Sequence, residues 1–227
     1  RSRVVGARIE DVSVSNATRK IEIAERVARA ANPKIEFEGI FDNFAKDSVA
    51  RRFTDCDFLF LCADSMQARL VFNAIVHQYH VPGIQTGSKI NVDHVASDMV
   101  NAFSVVRWVT PDSGCLWCNG LILRDMLAME AKDPTARKEQ TYGTSQENPS
   151  VITLNAVAAS HAANDFMMAI LNLVHVDATL DYQRYKHCER QVNLDMPRKD
   201  SHCIECGTGN GGRFGLGDAV SLPTIQG

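Results

Sequence analysis

Apolar positions along this chain fall into two rhythms. Ile21, Ala24, Val27, Ala28 and Ala31 recur at helical spacing, so residues 19–31 read as an amphipathic helix. Glu22 with Arg26 and Glu25 with Arg29 make i,i+4 pairs on its polar side. Ser15, Asn16 and Thr18 are candidate caps, and Asn32-Pro33 ends the helix. Ile35, Phe37 and Ile40 then alternate with Glu36 and Glu38, as in a half-buried strand. Residues 44–53 read as a short helix. Phe58 to Cys62 is an unbroken apolar run, the pattern of a parallel strand covered on both faces. A second long helix is expected over 65–79, and another strand, holding Gly83 and Gly87, over 82–90.

Helix and strand thus alternate from residue 19 to residue 90. That order predicts an α/β fold, a doubly wound and largely parallel sheet of the Rossmann-like kind. Beyond it the pattern changes. Residues 103–109 read as a strand outside the parallel series, and 116–131 as a helix. Residues 131–150 are polar almost throughout and predict a mobile surface loop. Residues 151–174 are apolar nearly all round, which predicts a buried helix. Residues 182–195 lean towards strand, and 207–217 hold six glycines in eleven residues.

Composition narrows the class. The chain has 227 residues, 45% apolar, and a formal charge of −3, which argues against a nucleic-acid partner. No stretch is apolar for long enough to span a bilayer, because the 151–174 segment carries Asn155, His161, Asn164, Asp165 and Asn172. A single domain over 1–227 is expected. It opens Arg1-Ser2-Arg3 with no Met and no secretory leader, as if it starts inside a longer chain. Seven cysteines, an odd number, suggest reduced thiols and a cytoplasmic location.

Four of those cysteines form two knuckles, Cys115-Leu116-Trp117-Cys118 and Cys203-Ile204-Glu205-Cys206. Two residues between thiolates let both sulfurs of a tight turn face one metal. Two such turns supply a closed tetrahedral set that favours structural zinc. A redox pair, an iron–sulfur cluster and four unligated buried thiols are the alternatives.

The residues from Asp57 through Ala63-Asp64-Ser65, then Arg69, Pro82-Gly83-Ile84 and Gly87, resemble the centre of the ThiF/MoeB/HesA superfamily of ubiquitin-activating-type adenylating enzymes. Pro111 with Cys115 and Cys118, and Cys203 with Cys206, resemble the two zinc knuckles of that superfamily. Lys20, opening a helix that ends in Asn32-Pro33, is similar to its phosphate-contacting lysine. The superfamily fold begins with a strand, a Gly-rich loop and a helix that have no counterpart here. The Gly207-x-Gly209-x-x-Gly212 string follows a knuckle rather than a strand and does not replace them.

The resemblance implies ATP with Mg2+ and Zn2+ as cofactors. It implies adenylation of the C-terminal glycine of a ubiquitin-like or sulfur-carrier protein, within a homodimer. It makes Asp64 the magnesium-side acid, Lys20 a phosphate ligand, and Arg1 or Arg3 the pyrophosphate-side arginine. The structural alternative for Asp64 is a helix cap, and for Arg69 a carboxylate pairing. Residues 131–150 correspond to the crossover loop. Adenylation of a small molecule, a peptide or a tRNA base, and a zinc-stapled binding module without catalysis, are the other readings. Cys188 has basic neighbours and is a candidate nucleophile. Cys56 and Cys62 read as core thiols, and His161 with Asp165 as a hydrogen-bonded i,i+4 pair.

Overall fold

The computed structural model describes residues 4–12, 17–93, 98–132, 151–175, 178–179, 181–209 and 211–225. In chain order these form α1 (Lys20–Ala31), α2 (Asp47–Ala50), β1 (Leu59–Leu61), α3 (Met66–Tyr79), β2 (Gly83–Asp93) and β3 (Asp98–Val109). Then follow α4 (Arg124–Lys132), α5 (Ile152–Ile170), β4 (Tyr182–Lys186) and β5 (Gln191–Asp195). No helix among the described residues is long and apolar enough to cross a membrane.

The five strands form one sheet in the order β1-β2-β3-β4-β5. Here the largely parallel expectation fails. Only β1 and β2 run parallel, with Leu61 opposite Gln85, and the other three pairings are antiparallel. The physical reason lies in the connections. Parallel neighbours need a crossover, and α3 supplies one between β1 and β2. β2 and β3 form one long antiparallel ribbon from Gly83↔Val109 outward and β4 and β5 a short one, and β4 returns antiparallel to β3 after α4 and α5.

Helix α3 packs on the face that carries Leu59 and Leu61. Its Leu70, Val71, Phe72, Ala74, Ile75 and Val76 are buried with them in the main core. Gly83 makes this approach possible. A Cβ there would lie 2.6 Å from the Leu59 carbonyl and 2.7 Å from the Phe72 ring. The helix starts on two devices. Ser65 Oγ accepts from the Ala68 N–H at 3.1 Å, and the Glu130 carboxylate of α4 accepts from the Met66 and Gln67 N–H groups at 3.0 and 2.9 Å. A carboxylate at a helix N-terminus is favoured by the dipole there.

Helix α5 covers the opposite face, where Ile84, Val106, Trp108 and Ala162 form a second core. Phe58 stacks edge-on to Trp108 and lies 4.6 Å, centroid to centroid, from Phe166. The expected burial of this helix all round does not hold. Ala158 and Ala162 are buried, but Met167, Ile170, Leu171 and Leu173 beyond them are open to solvent, Ile170 being 61% exposed. The sheet is a single layer, so only one side of the helix has anything to pack on.

Several local expectations are also corrected. Residues 35–40 form no strand, since no neighbouring strand lies beside them. The 116–131 helix begins only at Arg124, because the first knuckle's turns occupy its front half. Helix α1 buries Ile23 rather than the expected face, leaving Val27 and Ala31 exposed. Arg26 spends its charge on buried Asp11, at 2.5 and 3.1 Å, not on Glu22. Glu22 instead accepts from the Arg19 N–H at 2.9 Å, and the N-cap is Arg19 rather than the expected Thr18, while the other two expected caps, Ser15 and Asn16, lie outside the described residues. Glu25 and Arg29 do pair, at 2.9 Å.

His77 sits fully buried on α3. Burial, more than any neighbour, pulls its pKa down to about 4. In the unfolded chain a histidine titrates near pH 6.5, so between these values the unfolded state takes up the proton first. Stability from the neutral ring is complete above about pH 6.5 and is lost as pH falls towards 4. Urea unfolding should show a loss of about 3 kcal/mol attributable to this group between pH 7 and pH 4. A His77→Gln variant should flatten that pH dependence, and an unchanged slope would show that the ring is not responsible.

Candidate functional site

The two knuckles, far apart in sequence, meet in space. Cys115 Sγ lies 3.7 Å from Cys203 Sγ, and Cys118 Sγ 3.6 Å from Cys206 Sγ, with all four sulfurs within 4.8 Å of one another. Thiolates about 2.3 Å from a tetrahedral zinc stand about 3.8 Å apart, so the spacing suits that ion. It is far longer than the about 2 Å of a disulfide. Cys115, Cys203 and Cys206 are buried. Backbone N–H groups of Cys118 and Glu205 donate to Cys115 and Cys203 sulfurs at 3.3 and 3.4 Å, which stabilises thiolate charge. Four thiols this close cannot all ionise without a cation. Burial pushes Cys118 up to about 11, whereas hydrogen bonds from its neighbours hold Cys206 down to about 5.

The cluster rests on polar side chains of α3. Asn73 accepts from the Leu116 N–H at 2.9 Å and donates to Glu205 at 3.3 Å. Glu205, itself buried between two of the cysteines, accepts from Arg213 Nε at 3.2 Å. Arg213 donates onward to Gln78 and to the Ser221 carbonyl, and Gln78 holds the Gly217 and Val220 carbonyls. Gly114 closes the other side, because a Cβ there would stand 1.9 Å from the Arg198 carbonyl. The glycine string serves the second knuckle, the Gly207 N–H donating to the Cys203 carbonyl at 2.9 Å.

Asp64 occupies a different position. It is exposed in the loop between β1 and α3, at the carboxyl end of the one parallel strand pair. Open α/β sheets bind ligands at that end. The capping alternative falls to Ser65, which performs it instead. Lys20 is the exposed first residue of α1. Arg69 reaches from α3 to the Leu121 carbonyl at 2.9 Å, tying the helix to the first knuckle. The structure therefore brings the four cysteines together, and Asp64 and Lys20 stand on separate elements. Arg1 and Arg3, and most of the 131–150 loop, lie outside the described residues.

Other candidates are sorted by their surroundings. Cys188 is exposed in the turn between β4 and β5, and Cys62 is exposed just past β1 rather than in the core. Cys56 is half-buried. His161 and Asp165 do not bond to each other as expected. His161 stacks on Tyr185 at 4.2 Å, and Asp165 accepts from Gln183 at 2.8 Å, because β4 offers both a partner across the interface. Sequence reasoning missed Asn73, Gln78, Glu205, Arg213 and Glu130. The available signal was three polar residues, Asn73, His77 and Gln78, within the otherwise apolar stretch from Leu70 to Gln78.

The sequence profile of the ThiF family matches residues 2–207. The chain belongs to the ThiF family. Its fold is also that of solved relatives. The microcin C7 biosynthetic enzyme MccB in complex with N-formylated MccA superposes with a TM-score of 0.66 at 17% identity, over 89% of this chain and 55% of that one. Escherichia coli MccB with ATP gives 0.62 at 16% identity, over 89% and 55%. PaaA gives 0.54 at 13% identity, over 85% and 59%. This ThiF-family chain thus spans little more than half the length of those proteins. No curated protein matches it by sequence.

Elemental analysis should find close to one zinc per chain. Removing the metal with a strong chelator, or replacing Cys206 by Ser, should lower stability by a few kcal/mol and release the segment that follows Arg198. Thermal melting and hydrogen exchange read both effects. Protein that melts identically with and without chelator would rule out a bound metal.

Proposed function

We propose that this ThiF-family domain takes part in ATP-dependent adenylation of a C-terminal carboxylate. The observation that carries the reading is Asp64, exposed at the carboxyl end of β1, on a fold shared with an MccB structure containing ATP. In the proposed reaction a carboxylate oxygen of the second substrate attacks the α-phosphorus. The bond to the β-phosphate bridge breaks, and pyrophosphate leaves. Charge accumulates on the phosphates, so the step needs cations held in place beforehand.

Asp64 would hold the Mg2+ that neutralises the phosphates. Lys20 would add a second positive charge. A lysine at the first position of a helix opposes the macrodipole, and an anionic ligand beside it would relieve that cost. Arg1 and Arg3 are assigned to the pyrophosphate side on resemblance alone. The zinc cluster would have no chemical role, since four cysteines leave no open coordination position.

The second substrate is proposed to be a ubiquitin-like or sulfur-carrier protein with a C-terminal glycine. A peptide is the alternative, and the MccB complexes with MccA favour it. ATP–pyrophosphate exchange distinguishes them. Exchange should appear only with the matching carrier or peptide and should fall at least about a hundredfold in Asp64→Asn. Exchange that persists in the variant would remove Asp64 from the mechanism.

We also propose a homodimer that covers the open side of α5. Met167 and Ile170 near the end of that helix, and Leu171 and Leu173 just past it, are exposed apolar side chains that a second copy would bury. Light scattering at micromolar concentration should give twice the chain mass, and Ile170→Glu should shift it to the monomer. A monomeric wild type would overturn the proposal.

A further inference from the structure

A cavity lies between the sheet and the first knuckle, lined by residues of β3, β4 and β5. Its volume is about 250 Å3. Arg107, Arg184 and Arg198 line it, with Asp195 the single carboxylate in its wall. Val105 and Leu121 give it an apolar side.

Arg107 makes this arrangement unusual. It is 9% exposed, near the C-terminal end of β3, and faces the side of the sheet opposite α5. Its Nη1 donates to the side-chain carbonyl of Gln85, a neutral acceptor on the facing strand. Asp195 is already paired with Arg184 at 3.2 Å. Burial and the nearby positive charge of Arg69 pull the Arg107 pKa down to about 10, so the group remains a cation at neutral pH.

The cost of a desolvated guanidinium hydrogen-bonded to a neutral amide is compensated only in part, by the nearby charge of Asp195, which Arg184 already shares. A second cation beside it raises that cost. An anion with two oxygens would meet the fork of Arg107 and repay it, as arginine–carboxylate pairs do. The cavity is below the about 300 Å3 at which drug-sized ligands begin to be held. Its apolar wall suits a ligand with a hydrocarbon portion. The position also matters, since Leu61, Gln85 and Arg107 lie in register across three strands, at the end of the sheet that Asp64 follows.

We propose that this cavity is a carboxylate-binding site for a small aliphatic acid, either free or as the acidic side chain of a peptide. The proposal does not depend on adenylation, because the site needs neither ATP nor Asp64.

The test is isothermal titration of the whole protein without ATP, at low ionic strength. The probes are glutarate, the N-acetylated amide of glutamic acid, and inorganic phosphate. Saturable binding of one glutarate or one glutamyl amide per chain is expected, with phosphate markedly weaker. Glutarate alone would point to a free acid, and the amide alone to a peptide side chain. Arg107→Gln should weaken binding at least about tenfold, the loss expected for one charged hydrogen-bonded contact. Because Arg107 is buried, Arg184→Gln provides the second variant. Arg184 is half-exposed and its replacement leaves the core intact, so a similar loss there cannot come from misfolding. No saturable binding of either carboxylate would overturn the proposal. So would binding unchanged in Arg184→Gln, or phosphate binding as tightly as glutarate.

Discussion

Helix α3 is enclosed on all sides, and everything else answers to that constraint. Ala68 and every residue from Leu70 to Gln78 are buried, including Asn73, His77 and Gln78. A buried amide without partners costs about 1–3 kcal/mol. Asn73 and Gln78 therefore have to find hydrogen bonds, and they find them in both cysteine knuckles and in the C-terminal tail. The apolar side of the same helix builds the core against β1 and β2. One helix thus joins the parallel strand pair to the cysteine cluster.

This arrangement separates two kinds of work. The cluster is closed, buried and backed by Glu205 and Arg213, which suits a staple rather than a reactive centre. The chemistry proposed for Asp64 would lie at the other end of the crossover, where that residue is exposed between β1 and α3. Glu130 links that end to α4 by occupying the first N–H groups of α3. The antiparallel ribbons of β2 to β5 widen the sheet beyond the parallel pair and carry Arg107 and Arg184 into the cavity beside the first knuckle.

Much of this was legible in the residues, for identifiable reasons. The run at 58–62 and the helix at 66–79 are local, strongly patterned and bounded by turn residues, so β1 and α3 stand where the pattern predicts, although β1 is an edge strand whose Phe60 is 47% exposed rather than covered on both faces. The two C-x-x-C knuckles carry their meaning in their spacing, and the structure brings all four sulfurs together. Residues 35–40 misled because alternation describes a strand's faces but not whether a partner strand lies alongside. The 151–174 segment misled because an apolar face reports only that it can be buried, not that something covers it.

What the sequence alone determined is the set of elements whose signal lies within a few residues: the crossover helix, the apolar strand, the cysteine pairs and the acid that follows β1. Tertiary structure alone decided the direction of β3 to β5 and the partner of Arg26. It also decided the burial of Arg107 and the hydrogen bonds from Asn73 to Glu205. Those contacts join residues up to 132 positions apart. Local propensity carries no information about a partner at that distance, and only the packed chain brings the two together.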